Sequence, residues 1–136
     1  MKDIIALRKV EQIERCVSRI REEYIGHERE FETNQTKQDA ILLNIQRACQ
    51  VAIDLATHVV RLKKLGIPED VRDCFVLLEK GKIISQALSK NLQGMVGFRN
   101  IIVHEYDQLN LEIARSVIEN HLDDFIAFTK NVLARQ

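Results

Sequence analysis

Four side chains gathered in one short stretch are suited to phosphate chemistry. In Phe98-Arg99-Asn100-Ile101-Ile102-Val103-His104-Glu105-Tyr106, Arg99 supplies a permanent cation whose fork of donors fits a phosphate. His104 supplies an imidazole, a group whose unperturbed pKa of about 6.5 lets it act as acid or base near neutrality. Asn100 stands one turn before His104 and could orient either the imidazole or a substrate. Tyr106 adds a hydroxyl on a ring that could pack or stack on a base. Breaking an RNA backbone without a metal needs a base for the 2′-hydroxyl proton, an acid for the leaving oxygen and a cation for the phosphorane. One copy of the stretch holds one histidine; two copies in one cleft would hold two histidines and two arginines.

These residues ride on a helix expected from about Ser85 to His104, whose apolar line is Leu88, Leu92, Met95 and Ile102. Arg99 falls on that line, so it needs a carboxylate partner at the rim of the bundle or a wet cleft. On a straight helix Asn100 and His104 lie ~40° apart, and Arg99 and Tyr106 ~20° apart, but Arg99 and His104 lie ~140° apart. The pair can converge only if the helix unwinds near His104 or if a second chain completes the site. Asp107-Gln108-Leu109-Asn110 follows at once and favours unwinding after Val103.

The remaining elements read as helices too. A first helix is expected from about Asp3 to Glu30, with Leu7, Val10, Ile13, Val17, Ile20 and Tyr24 spaced by threes and fours. After the polar loop Glu32-Thr33-Asn34-Gln35, Thr36 can cap a second helix reaching about Lys64. Its wide apolar face, Ile41, Ile45, Ala48, Ala52, Leu55 and Val59 with Leu42, Cys49, Ile53, Ala56 and Val60 beside them, marks it as the central helix. Gly66 ends it and Pro68 can open a third, Glu69 to Lys80. Asn110 caps a last helix carrying Leu111, Ala114, Ile118, Leu122, Phe125 and Val132. Asp54 and His58, four apart, are expected to form a hydrogen-bonded pair. His27 and His121 read as surface or loop residues. The short connections point to an all-α, antiparallel up-and-down bundle of about five helices in one domain, residues 1–136.

Composition agrees with that and narrows the function. Of 136 residues 46% are hydrophobic, with one Pro and five Gly, a profile that favours helix over disorder. Twenty basic and twenty acidic residues cancel, so a nucleic-acid site must be local or built by oligomerisation. Three widely spaced cysteines, without a CxxC pair, read as free thiols of a cytoplasmic protein. No apolar run approaches the ~18 residues of a membrane span. No zinc pattern, phosphate-binding glycine loop or GxSxG is present, and neither a metal nor a cofactor is expected.

Arg-x4-His-x-Tyr, here Arg99, His104 and Tyr106, resembles the signature of HepT toxins in the HEPN superfamily. Asn100 after the arginine fits the same pattern. Likeness extends to Asp39–Cys49, Ala52–His58, Leu65-Gly66-Ile67-Pro68 and Met95–Asn100, covering nearly the whole chain. The resemblance implies a HEPN-like fold and a homodimer whose two motifs face an interface cleft. It implies the toxin of a type VII toxin–antitoxin module, a metal-independent endoribonuclease with tRNA among its candidate substrates. Arg99, His104 and Asn100 would be catalytic. The implied partner is an MntA-like nucleotidyltransferase antitoxin that transfers AMP from ATP to Tyr106. AMP there would fill the cleft and offset the charge of Arg99. The alternative is a non-catalytic helical HEPN module that binds the nucleotidyltransferase or a nucleotide.

Overall fold

The computed structural model describes residues 3–135, and every regular element among them is helical. The helices are α1 (Ile4–Tyr24), α2 (Glu30–Thr33), α3 (Gln35–Leu62), α4 (Val71–Lys80), α5 (Gln86–His104), α6 (Leu111–Asn120) and α7 (Leu122–Ala134). A 3-10 turn, Tyr106–Gln108, links α5 to α6. The expected bundle of about five helices thus becomes seven. The first expected helix stops at Tyr24, before Gly26 takes a left-handed φ of 83°, and leaves α2 as a separate turn. The last breaks at His121.

Side-chain caps set the helix starts. Asp3, Asn34, Asp70, Ser85 and Asn110 each accept a hydrogen bond from an amide of the turn they precede, satisfying donors that the helix cannot. Asn34, not Thr36, caps the central helix because its Oδ1 reaches the amide of Lys37 at 3.0 Å. Asp70 likewise starts α4 at Val71, two residues later than expected and beyond Pro68.

Four long helices close a ring: α1 packs on α3, α3 on α5, α5 on α7 and α7 on α1, with α4 laid over α3 and α5. The central role expected for α3 holds, and its whole expected apolar set is buried. On α1 the buried line is Ala6, Val10, Ile13, Val17, Ile20 and Tyr24. Leu7, expected in that line, faces outward and Ala6 takes its place.

The expected Asp54–His58 pair does not form. His58 Nε2 instead meets Oδ2 of Asp3 at 2.6 Å, because the N-cap of α1 brings a carboxylate to that face of α3. Asp54 accepts from Gln50 Nε2 at 3.1 Å. His27 is exposed in a turn, and His121 Nδ1 lies 2.9 Å from Asp124 between α6 and α7.

At the far end of α1 a dense corner joins α2 and α6 to the bundle. Arg115 Nη1 donates to the Tyr24 hydroxyl at 2.7 Å, and Nη2 donates to the Glu28 carbonyl and Glu32 Oε1, both at 3.1 Å. Its guanidinium sits 5.7 Å from the ring centroids of Tyr24 and Phe31. The Tyr24 hydroxyl in turn donates to Glu119.

Candidate active site

Helix α5 is regular from Gln86 through His104, and the amide of Glu105 still bonds to the carbonyl of Ile101 at 2.8 Å. The expectation of unwinding after Val103 therefore fails: the turn begins at Glu105, too late to swing His104 toward Arg99. The two side chains remain ~140° apart around one helix, so within one chain they do not converge.

Arg99 is half-buried and held from two sides. Its Nη1 donates to Asn100 Oδ1 at 2.7 Å and its Nη2 to Gln50 Oε1 at 2.6 Å. Its Nε is buried without a partner. The carboxylate expected at the rim is not there: no ion pair of Arg99 is found among the described residues. Both acceptors are neutral amide oxygens, so they fix the guanidinium while leaving its positive charge uncompensated. Behind it on α3, buried Cys49 donates to the carbonyl of Met95 at 3.7 Å. Burial pushes that thiol up to about 12, so it packs as a small apolar group rather than a nucleophile.

His104 is the last residue of α5 and is exposed, with no hydrogen bond or ion pair among the described residues. Asn100, which could have steered the imidazole, is engaged by Arg99 instead.

Tyr106 lies beyond the end of α5, in the 3-10 turn, so the period of α5 no longer sets its direction. Its hydroxyl donates to Oδ1 of Asp39 on α3. Burial, then the Asp39 bond, pushes the phenol up to about 12. That same bond, with one from Gln35 at 2.8 Å, holds the Asp39 carboxyl below its ordinary value.

Asp39 and Gln50 were not singled out from the sequence as site residues, yet they hold Tyr106 and Arg99. With Leu43 and Gln46 they recur at steps of four, three and four, one stripe of α3. Asp39, Leu43, Gln46, Ile102 and Tyr106 line an open groove of about 380 Å³. Leu43 and Val103 leave 42% and 41% of their surface exposed. Among the described residues no group of three or more His, Cys, Asp or Glu stands together as a metal site.

An intact helix presenting an amide-held arginine and a free terminal histidine, beside a carboxylate-bonded tyrosine, can be set against known proteins. The model of the family described as ribonuclease HepT-like matches residues 13–132. The chain belongs to the HepT-like ribonuclease family. It is 47% identical over 128 residues to the mRNA nuclease HepT of Shewanella oneidensis, spanning 94% of this chain and 95% of that protein. A tRNA nuclease HepT of Aphanizomenon flos-aquae is 33% identical over 66 residues, 48% of this chain and 45% of that one. The fold matches a solved structure of a tri-AMPylated Shewanella oneidensis HEPN toxin in complex with an MNT antitoxin. There the TM-score is 0.92 at 45% identity, covering 98% of this chain and 99% of that one. The all-helical HepT-like architecture expected from the sequence is therefore the observed one. No helix of the described residues is long and apolar enough to cross a membrane.

Proposed function

We propose that this chain, as one HEPN domain over residues 1–136, is the toxin of a type VII toxin–antitoxin module. In this reading it is a cytoplasmic, homodimeric, metal-independent endoribonuclease. An MntA-like nucleotidyltransferase silences it by transferring AMP to Tyr106. The observation that carries the reading is the state of Arg99 and His104. Arg99 is immobilised by Gln50 and Asn100 without a carboxylate to neutralise it, and His104 is left free at the end of α5.

The intact helix argues for two chains in one site. A second copy placed across the α3–α5 face would cover Leu43 and Val103 and bring its own Arg99 and His104 to the cleft. Two guanidinium groups then make the local cationic site that a net charge of zero does not advertise. One His104 takes the 2′-hydroxyl proton and the other protonates the leaving oxygen, while Arg99 stabilises the charge developing on the phosphorane. Asn100 positions the guanidinium. The names of the relatives point to mRNA and to tRNA as substrates, and RNA is the class common to both.

Silencing follows from where Tyr106 sits. Its Asp39 partner and the Gln50 partner of Arg99 are eleven residues apart on α3, about 16 Å along the axis. A phosphate on Tyr106 covers part of that span, so the attached nucleoside must fill the rest of the groove and block substrate.

Arg99→Ala and His104→Ala are each expected to slow RNA cleavage by about 10²-fold or more in a dimer that still melts cooperatively, and wild type should leave 2′,3′-cyclic phosphate ends. Undiminished cleavage by either variant would sink the assignment in favour of a non-catalytic module. Silencing of Tyr106→Phe by antitoxin plus ATP would exclude covalent control at this position.

A further inference from the structure

We infer that Asp39 is the base that accepts the phenolic proton when Tyr106 attacks the α-phosphorus of a nucleoside triphosphate. The toxin would then carry one catalytic group of its own silencing reaction. This rests on the reading that Tyr106 is the nucleotide acceptor.

The geometry is direct. The Tyr106 hydroxyl already donates to Oδ1 of Asp39, so proton and acceptor are aligned before any partner arrives. Asp39 and Tyr106 are the only titratable residues lining the groove; Leu43, Gln46 and Ile102 make up the rest. Asp39 is exposed and its other contact is the neutral amide of Gln35. It forms no ion pair among the described residues, so no cation competes for its lone pairs. His104, the other candidate, makes no bond to the hydroxyl.

The step balances within these groups. The Tyr106 oxygen forms a bond to the α-phosphorus. The bond from that phosphorus to the oxygen bridging the β-phosphate breaks, and pyrophosphate leaves with the electron pair. The phenolic proton passes to the Asp39 carboxylate and then to solvent. A carboxylate is a weak base toward a resting phenol. It becomes adequate as the oxygen–phosphorus bond forms, because the hydroxyl then grows strongly acidic. An uncatalysed route through free tyrosinate is poorly populated: with the phenol pushed up to about 12, about one molecule in 10⁴ would be ionised at pH 8.

Asp39→Asn separates proton acceptance from hydrogen bonding, since an amide oxygen can still receive the hydroxyl but cannot hold its proton. The chain, bound to its nucleotidyltransferase antitoxin, is given [α-³²P]ATP, and label on the toxin is followed with time. Wild type should label and Tyr106→Phe should not. Asp39→Asn should label about 10²-fold more slowly, and Asp39→Glu should recover most of the rate. Melting temperature and antitoxin binding, measured alongside, report whether each variant is folded. A folded, antitoxin-bound Asp39→Asn that labels at the wild-type rate would overturn the inference while leaving Tyr106 as the acceptor. A wild type without label, or a Tyr106→Phe labelled as well as wild type, would instead overturn the reading beneath it.

Discussion

At one corner of the bundle Arg115 lies over the rings of Tyr24 and Phe31, donates to Tyr24, Glu28 and Glu32, and has Glu119 3.9 Å away. At another, Arg99 donates only to the amide oxygens of Asn100 and Gln50, one of its nitrogens is buried without a partner, and Tyr106 donates to Asp39, further along the same stripe of α3. Each corner contains an arginine and a tyrosine; the first has two carboxylates, Glu32 and Glu119, and the second one, Asp39. In the first, carboxylates of the protein itself answer the cation, which ties three helices together. In the second the arginine is held by groups that cannot cancel it. A structural arginine is met by carboxylates, whereas an arginine meant for a phosphate is positioned by neutral acceptors and keeps its field.

The largest effect should separate the corners by activity. Arg99→Ala removes a cation whose charge no carboxylate offsets among the described residues and should slow RNA cleavage by about 10²–10³-fold. Arg115→Ala should leave the rate per folded molecule near wild type. Single-turnover cleavage normalised to folded protein makes the comparison, and equal losses at both arginines would erase the distinction.

Stability should separate them the other way. Arg115→Ala leaves Glu32, the Glu28 carbonyl and the Tyr24 hydroxyl without their shared donor and strips a cation from two ring faces. It should cost about 2 kcal/mol, seen as a lower Tm in a thermal melt. Arg99→Ala removes a half-buried charge whose two partners are amides able to turn to water, and its Tm should change less. A larger fall in Tm for Arg99→Ala than for Arg115→Ala would mean the two corners have been misassigned.

Gln50→Glu converts the second corner toward the first. The new carboxylate would sit where Gln50 Oε1 now lies, 2.6 Å from Arg99 Nη2, and cancel its charge. Stability should hold or rise slightly, and cleavage should fall about tenfold through weaker phosphate binding. Opposite signs on Tm and cleavage are the signature; a variant that loses both would make Gln50 a packing residue only.

The amide clamp also marks the limit of what the sequence disclosed. Arg99 stood out because a charge interrupted an apolar line, Asn100 and His104 by a shared helix face and the family resemblance, and the limits of α5 were legible from Ser85 to His104. Gln50 and Asp39 did not stand out. Their partners lie 49 and 67 residues away, and no periodicity within a helix records such a meeting. The same blindness paired His58 with Asp54, its neighbour one turn away, rather than with Asp3 at a separation of 55 residues. Helix breaks failed for a local reason. Gly26 alone is compatible with a continuing helix and gives no warning of its φ of 83°. His121 interrupts the last helix with neither Gly nor Pro to announce it. Direction within α5 failed only past its end, where Tyr106 left the helix whose period had placed it near Arg99.

The smallest effect compares the two tyrosines, the only two in the chain. Each donates to a carboxylate, and each is pushed up to about 12, by burial first and by that hydrogen bond second. A folded value above the unfolded one of 10.0 means that the protonated phenol is favoured by folding. The stability contributed is fully present below pH 10 and is lost as pH rises through about 12. Tyrosinate absorbance should therefore rise later in native protein than in urea. The corners should differ in how it rises. Tyr24 sits under Arg115 at a junction of three helices, so its ionisation should coincide with loss of helical circular dichroism. Tyr106 lies in a terminal turn and should ionise while the bundle persists. Tyr106→Phe should then delete the component that precedes unfolding, and Tyr24→Phe the component that accompanies it. If both tyrosines ionise together near pH 10 with the helices intact, the carboxylate at neither corner protects its phenol.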